Sequence, residues 1–369
     1  MKQIKYITSL LIIVAFVSGC SVDKYEDLSS LSSITSPSKI EAVFDVTDDN
    51  SGDVTITPSG EAVGTFNIYF GDDAAADPAT VQSGDKIVHK YAEGDYTVKI
   101  VGVALNGVKT EKTYPLSIVY RAPENLNVTF TKNVHNLKVK AEADYAASFL
   151  VYFGEDANEV GTPLEIGGEV EHDYAVAGNY TVKVVALSGG AAQTEQVTDV
   201  TMFDPYLLPI DFENPFVNYF FGTFGGGQQF SKEANPDPSG LNTSATVGKF
   251  RRGWEEWSGT YSRLDNPTAF DFSQGSKVKI LVYTPDAVNI GKKLKLELEQ
   301  GTISNGIAML EVPLTTSGAW EELVFDFGPM LTDGTIPAGT TFPRFVLRFN
   351  RGTNGDFATI YIDDIRFTN

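Results

Sequence analysis

The chain has 369 residues, a net charge of −20 at pH 7, and 42% hydrophobic and 12% aromatic residues. This length and apolar content exclude a disordered chain and predict two to three domains with cores of their own. Residues 21–204 hold 12 Lys and Arg against 29 Asp and Glu, whereas residues 205–369 hold 14 against 19. So acidic a chain, without a basic stripe, repels phosphate groups, which argues against nucleic acid as a partner.

The N-terminus has the composition of an export signal. Lys2 and Lys5 precede a short apolar run from Leu10 to Val17, and the chain's single cysteine, Cys20, follows two small residues. A transmembrane helix needs about 20 apolar residues, so residues 1–20 are predicted to be a signal peptide instead. The ending Val-Ser-Gly-Cys resembles a bacterial lipoprotein signal, which implies that Cys20 becomes the lipidated first residue of the mature protein. The alternative is a secreted protein with a chance cysteine, although a single thiol there has no disulfide partner.

An acidic and serine-rich stretch follows the cysteine. Residues 21–27 resemble the export tag that sends Bacteroidetes lipoproteins to the outer face of the outer membrane, which implies a lipid-anchored protein facing the cell exterior. Residues 21–38 have no sustained hydrophobic period and contain Ser36-Pro37 near their end. This composition predicts a flexible linker.

The next part of the chain contains an internal repeat. Short alternating runs are broken by Gly, Asp and Pro, which predicts strands, and three segments occur twice at an offset of 83 or 84 residues. The matching pairs are Asn67–Asp73 with Leu150–Asp156, His89–Tyr91 with His172–Tyr174, and Gly94–Lys99 with Gly178–Lys183. We therefore predict two tandem domains, at residues 39–120 and 121–204.

Each repeat resembles a PKD domain, which implies an immunoglobulin-like β-sandwich. The resemblance rests on the Phe-Gly-Asp or Phe-Gly-Glu turn, the His-x-Tyr segment and the Gly-x-Tyr-Thr-Val strand. Ile68 and Val151 stand where the family usually has Trp. His89 and His172 have two interpretations, a metal ligand or a structural hydrogen bond, and their shared position before a strand favours the second. Such domains are expected to act as spacers.

Residues 205–369 form a third unit of short strands without a convincing amphipathic helix. This pattern over about 165 residues predicts a two-sheet jelly roll. The clearest strands are predicted at Val278–Tyr283, Lys293–Glu299, Trp320–Phe327, Phe345–Phe349 and Thr359–Phe367. The predicted fold class is thus all-β: two immunoglobulin-like sandwiches followed by a jelly roll.

The third unit resembles the C-terminal carbohydrate-binding modules of Bacteroidetes surface lipoproteins. The likeness rests on five segments: Asp211–Glu213, Asn235–Lys249, Trp257–Thr260, Trp320–Phe327 and Ile362–Ile365. It implies polysaccharide capture beside a TonB-dependent transporter and its lipoprotein lid, within a polysaccharide-utilisation system.

The residues that could contact a sugar cluster in one stretch. Sugar rings present flat C–H faces and hydroxyl groups, so a binder needs exposed aromatic planes with planar hydrogen-bonding groups. Trp254 and Trp257 are the preferred platform, with a covered core pair as the alternative, and Trp320 is expected to pack in the core or at an edge. The accompanying candidates are Tyr261, Arg251, Arg252 and Asn242. An aromatic loop either joins the site or fills the space between the sheets: Tyr219, Phe220, Phe221 and Phe224.

Three carboxylates resemble the calcium position of jelly-roll modules. Glu213 lies near the first strand of the unit, and Asp363 and Asp364 lie on its last strand, so the fold could bring them together around a structural Ca²⁺. The alternative is a set of ordinary turn and strand-edge carboxylates.

An enzyme is the competing class. Glycoside hydrolysis needs two carboxylates at a set separation, and Glu255 and Glu256 lie between the tryptophans. However, residues 205–369 have no histidine, and the sequence has no Gly-x-Ser-x-Gly elbow, zinc helix or phosphate loop. We expect a non-catalytic protein that binds a neutral β-glucan such as laminarin, because the third unit lacks strong positive charge. A surface adhesin is the other alternative.

Overall fold

The structure is a computed structural model that describes residues 35–300 and 303–369. The predicted signal peptide, the lipidation site Cys20 and most of the predicted linker lie outside these residues, although Ser38, assigned to the linker, is the first residue of a strand. No helix in the described part of the chain is long and apolar enough to cross a membrane. The described residues are almost entirely strands and turns, which confirms the all-β prediction.

The first sandwich contains seven antiparallel strands in two sheets. Their orders are β1-β2-β5 and β4-β3-β6-β7. The strands are β1 (Ser38–Val46), β2 (Asp53–Glu61), β3 (Thr65–Tyr69), β4 (Ala79–Gln82), β5 (Ile87–Lys90), β6 (Gly94–Val103) and β7 (Lys109–Ile118).

The second sandwich repeats this arrangement, with sheet orders β12-β9-β8 and β11-β10-β13-β14. The strands are β8 (Glu124–Asn133), β9 (Asn136–Asp144), β10 (Ser148–Tyr152), β11 (Thr162–Leu164), β12 (Val170–Asp173), β13 (Gly178–Leu187) and β14 (Gln193–Met202). Ile68 and its counterpart Val151 are completely buried, so each fills the core of its sandwich.

The repeated histidines make structural contacts. His89 Nε2 lies 2.6 Å from an Asp72 carboxylate oxygen, and its ring stacks on Phe70 with a centroid distance of 3.7 Å. His172 pairs in the same way with Glu155, at 2.9 Å, and stacks on Phe153. Each ring is thus held between a carboxylate and a phenyl face, which confirms the structural interpretation.

The third unit contains two five-stranded antiparallel sheets packed around an aromatic core. Their orders are β15-β18-β25-β21-β22 and β16-β17-β26-β20-β23, and β19 pairs with β24. The strands are β15 (Gly222–Phe224), β16 (Gln229–Ala234), β17 (Thr246–Arg251), β18 (Gly259–Arg263), β19 (Phe270–Asp271), β20 (Lys277–Tyr283), β21 (Lys293–Gln300), β22 (Ile303–Pro313), β23 (Trp320–Asp326), β24 (Thr341–Phe342), β25 (Arg344–Phe349) and β26 (Thr359–Thr368).

Within residues 35–300 and 303–369, helix is confined to short connections in the third unit. A 3₁₀ turn covers Ala287–Asn289, and helix α1 covers Gly328–Thr332. The five strands predicted from the sequence are present with bounds shifted by at most one residue. Strand β22, which the sequence analysis did not identify, completes the first sheet at its edge.

Candidate functional site

The outer face of the sheet β15-β18-β25-β21-β22 carries an unusual set of charged side chains. Strand β21 alternates, so Leu294, Leu296 and Leu298 enter the core while the intervening side chains face outward. Register places Tyr261 beside Val346, and Val346 beside Glu297. We call this surface the charged sheet face and define it by six residues: Tyr261, Lys295, Glu297, Glu299, Arg344 and Arg348.

The charges on this face are paired and largely buried. Lys295 Nζ lies 2.8 Å from Glu297 Oε1, and Arg348 Nε lies 3.1 Å from the same oxygen. Arg344 Nε lies 3.0 Å from Glu299 Oε2. Burial raises the pKa of Glu297, but the hydrogen bonds and charges of Lys295 and Arg348 outweigh it and hold this pKa below its usual value. Each carboxylate therefore fixes an arginine on the sheet.

The two arginines lie over aromatic rings. The Arg344 guanidinium carbon is 4.4 Å from the centroid of Tyr261, and that of Arg348 is 4.7 Å from the centroid of Phe224. Phe224 is parallel to Trp257 within 7°, with centroids 6.1 Å apart, and Arg348 also donates to the Trp257 carbonyl. Flat rings and planar donors thus share one surface, which is the combination that sugar recognition requires.

The two predicted platform tryptophans are both exposed but belong to different clusters. Trp257 is 48% exposed and joins the charged sheet face through Phe224, whereas Trp254 is 54% exposed, so a covered core pair is wrong. The Trp254 ring lies against Gly226, where an added Cβ would be 2.2 Å from Nε1. Arg251 lies on the Trp254 side as well, with its guanidinium carbon 4.7 Å from the ring of Phe357. The structure therefore does not bring Trp254 and Arg251 together with Trp257 at the charged sheet face.

Two predicted contact residues are structural instead. Arg252 is only 1% exposed, and its guanidinium donates to the carbonyls of Thr353, at 2.5 Å, and Asn354, at 3.3 Å. Asn242 is also buried, and its amide donates to Asp363 at 2.8 Å. The prediction that these two side chains contact a sugar directly is therefore wrong. Arg252 instead holds a loop, and Asn242 holds the last strand.

The aromatic loop divides between the core and the surface of the third unit. Phe221 stacks on Phe230 at 3.9 Å between centroids and packs against the core, as does Tyr219. Phe220 and Phe224 lie outside, against Tyr261 and Trp257. Trp320 is buried, and its indole N–H donates to the Asp237 carbonyl at 2.8 Å, as the expected packing role requires.

The predicted calcium ligands divide into two groups. Asp364 forms an ion pair with Arg366, so its carboxylate is already neutralised. Asp363 is 2% exposed; burial, together with the nearby carboxylates of Asp211 and Glu213, raises its pKa to about 6 against the opposing hydrogen bonds of Ser244 and Asn242. Among the described residues Asp363 has no ion pair with a cation, and its carboxylate accepts hydrogen bonds from Asn242 and Ser244. Glu213 is exposed and accepts from the Thr246 backbone N–H at 2.7 Å. No cluster of three or more His, Cys, Asp or Glu suited to a metal occurs in the described part of the chain.

The sequence predicts strands β21 and β25 but does not by itself assign their charged residues to the site. The available signal is the spacing of the charged residues: they alternate with leucines along Lys293–Glu299, and Arg344 and Arg348 lie four residues apart, on one face of their strand. This spacing locates one outward face on each strand, but only the antiparallel register shows that the two faces adjoin.

No family model and no curated protein sequence matches the chain. Several solved structures match it. One, from work on the promiscuous specificity of carbohydrate-binding modules of the β-sandwich superfamily, has 14% identity and a TM-score of 0.31 over 68% of this chain and 100% of the other. The family 11 carbohydrate-binding module of the cellulase Lic26A-Cel5E from Clostridium thermocellum has 16% identity and a TM-score of 0.30, covering 45% and 95%. The K1 cleaved adhesin domain of Lys-gingipain from Porphyromonas gingivalis has 19% identity and a TM-score of 0.27, covering 43% and 96%.

Proposed function

We propose that this protein is a non-catalytic glycan-binding protein whose third unit holds a polysaccharide on the charged sheet face. The observation that carries the proposal is the position of Arg344 and Arg348, each paired with a carboxylate and lying over an aromatic ring. Guanidinium groups fixed in this way present their remaining N–H donors without losing side-chain entropy on binding. Tyr261 and Trp257 supply the flat surfaces for sugar rings.

The charge balance of this face favours a neutral glycan. Its three cations, Lys295, Arg344 and Arg348, are matched against Glu297 and Glu299, so little positive charge remains to attract uronate or sulfate groups. A neutral β-glucan such as laminarin offers hydroxyl groups to these donors and acceptors. We therefore keep β-glucan as the proposed ligand.

The pKa and the hydrogen bonding of the carboxylates near the proposed site agree with binding without hydrolysis. A general acid of a glycoside hydrolase needs a raised pKa, whereas Lys295 and Arg348 hold the pKa of Glu297 below its usual value. Glu255, between the tryptophans, accepts a hydrogen bond from the Gly226 backbone at 3.1 Å. Neither arrangement resembles a pair of carboxylates on opposite sides of a bond to be cleaved.

The proposed cellular setting comes from the N-terminal sequence. Cys20 would carry the lipid. The linker and the two sandwiches would separate this lipid from the third unit. The protein would lie on the outer face of a Bacteroidetes outer membrane. There it would deliver glycan to a TonB-dependent transporter and its lipoprotein lid. We also propose a structural Ca²⁺ held by Glu213 and Asp363, which would join the beginning and the end of the third unit.

The test is affinity electrophoresis of the full chain against laminarin and a panel of neutral and anionic polysaccharides. Retardation by laminarin that falls at least tenfold in Arg348→Ala is the expected result. Arg366→Ala is the matched control, because Arg366 is an ion-paired arginine on the other sheet. No retardation by any glycan would overturn the proposal and favour adhesion, and new reducing ends would favour hydrolysis.

A further inference from the structure

A cavity lies where the second sandwich meets the third unit. Its volume is about 320 Å³, which is within the range of about 300–1,000 Å³ for small-molecule sites. The second sandwich contributes Lys132 and Phe203 to its walls, and the third unit contributes Phe220 and Arg263. We call it the junction cavity.

The junction cavity continues the charged sheet face. Phe220, in its wall, contacts Tyr261 edge to face with centroids 5.9 Å apart. Arg263, also in the wall, pairs in register with Arg344, whose guanidinium lies over Tyr261. Tyr261 and Arg263 are two residues apart on one strand, so about 7 Å separates them. A chain lying across Tyr261 is therefore directed into the cavity.

The side chains of the cavity have the composition of a sugar site. Phe203 and Phe220 are 42% and 51% exposed, so they offer apolar rings to a ligand. Lys132 donates to the Thr201 carbonyl at 3.2 Å, and within the described residues neither Lys132 nor Arg263 has an ion-pair partner. Aromatic faces beside available donors are the same combination as on the sheet.

The junction between the first and second sandwiches provides an internal comparison. The repeat places Val46 at the position of Lys132 and Val119 at the position of Phe203. The space there is only about 40 Å³, and Asn50 closes it by donating to the carbonyls of Arg121 and Tyr145, at 2.9 Å each. The tandem repeat by itself therefore does not produce the junction cavity or its aromatic and cationic walls.

We infer that the second sandwich is part of the binding site: the junction cavity holds the end of a β-glucan chain whose preceding rings lie on the charged sheet face. This inference rests on the proposed function and extends it. The second sandwich then contributes affinity only for chains long enough to pass Tyr261 and reach Lys132 and Phe203. A short oligosaccharide would bind on the sheet face alone.

The test is isothermal titration of the full chain with laminaritriose and laminariheptaose. Combined Lys132→Ala and Phe203→Ala substitutions are expected to weaken heptaose binding about tenfold, since one well-placed aromatic contact and one hydrogen bond together contribute about 1.4 kcal/mol. Triose binding should stay unchanged. Val119→Ala is the matched control for truncation at the corresponding position of the first junction, and thermal melting shows whether each variant is folded.

The outcomes separate the two proposals. If Arg348→Ala weakens both oligosaccharides while the Lys132 and Phe203 variant binds both like the unmodified chain, the sheet-face site stands and the inference is overturned. An equal loss for both lengths would also overturn it, because the cavity would then not act on chain length. If neither oligosaccharide binds the unmodified chain, the proposed β-glucan function itself fails.

Discussion

At the residue scale, the two exposed tryptophans have different neighbours. Trp257 is parallel to Phe224, and its carbonyl accepts a hydrogen bond from Arg348, so its ring belongs to the surface proposed for the glycan. Trp254 lies against Gly226 and next to Phe357, beyond that surface. Exposure alone therefore does not make a binding residue; the neighbouring groups decide which tryptophan can share a ligand with the arginines.

This difference gives a prediction with a built-in control. Trp257→Ala is expected to weaken laminarin binding about tenfold or more, because a stacked ring and its buried apolar area are lost. Trp254→Ala, which removes a similarly exposed indole, should change laminarin binding less than twofold. Titration followed by tryptophan fluorescence of each variant measures both. A larger effect of Trp254→Ala would place the site at the Phe357 end of the unit.

At the element scale, strands β21 and β25 combine a core face with a charged face. The sequence predicts both strands, and in the first of them leucines alternate with charged residues along Lys293–Glu299. It does not predict that Glu297 meets Arg348, because that contact depends on register between strands 51 residues apart. Arg252 and Asn242 escaped prediction for a similar reason: polar side chains in turns are ordinarily exposed, and only the packed loops show that these two are buried.

The buried pairs on these strands predict a pH-dependent stability. Glu297→Gln is expected to lower the free energy of unfolding at pH 7 by about 3 kcal/mol, because Lys295 and Arg348 lose their counter-charge. The folded pKa of Glu297 is lower than its unfolded value of about 4.5. Its contribution is therefore complete above that value and is lost as pH falls through the lower, folded pKa.

Urea unfolding of both proteins between pH 7 and pH 3 measures this prediction. The difference between the unmodified chain and Glu297→Gln should shrink as the solution becomes more acidic. Glu311→Gln is the control on the neighbouring strand, because Glu311 is exposed and 3.5 Å from Lys293, where pairing contributes little. A difference that stays constant with pH would show that Glu297 contributes by packing rather than by charge.

The last strand of the third unit gives a prediction about calcium. Ca²⁺ is expected to raise the melting temperature of the full chain and EDTA to reverse this, because a cation would neutralise Asp363 and Glu213. Asp363→Asn should abolish the response to Ca²⁺ while leaving the EDTA-treated protein about as stable, since the asparagine oxygen can still accept the hydrogen bonds of Asn242 and Ser244. Asp364→Asn is the control, because that carboxylate is paired with Arg366.

At the scale of the whole molecule, polar contacts connect each unit to the next. Asp204, between the second and third units, accepts from His135 at 2.9 Å and from Asn214 at 2.7 Å. Glu93 of the first sandwich accepts from the backbone of Ala191 in the second. Such contacts orient the third unit relative to the sandwiches. The two sides of the junction cavity are therefore already in place, and a site that uses both needs no hinge motion to bring them together.

The proposed lipid attachment at Cys20 and the proposed glycan site lie in separate parts of the chain. Cys20 lies about 180 residues before the third unit, so lipid attachment and glycan binding are expected to be independent. Cys20→Ala should remove metabolically incorporated palmitate and shift the protein from the membrane to the soluble fraction, because no acyl chain then remains to hold it. Its affinity for laminarin should not change, whereas Ser21→Ala should alter neither property. Antibody staining of intact cells tests the orientation: staining that appears only after permeabilisation would place the anchor on the inner side, and a membrane-bound, palmitate-labelled Cys20→Ala protein would contradict lipidation at this cysteine.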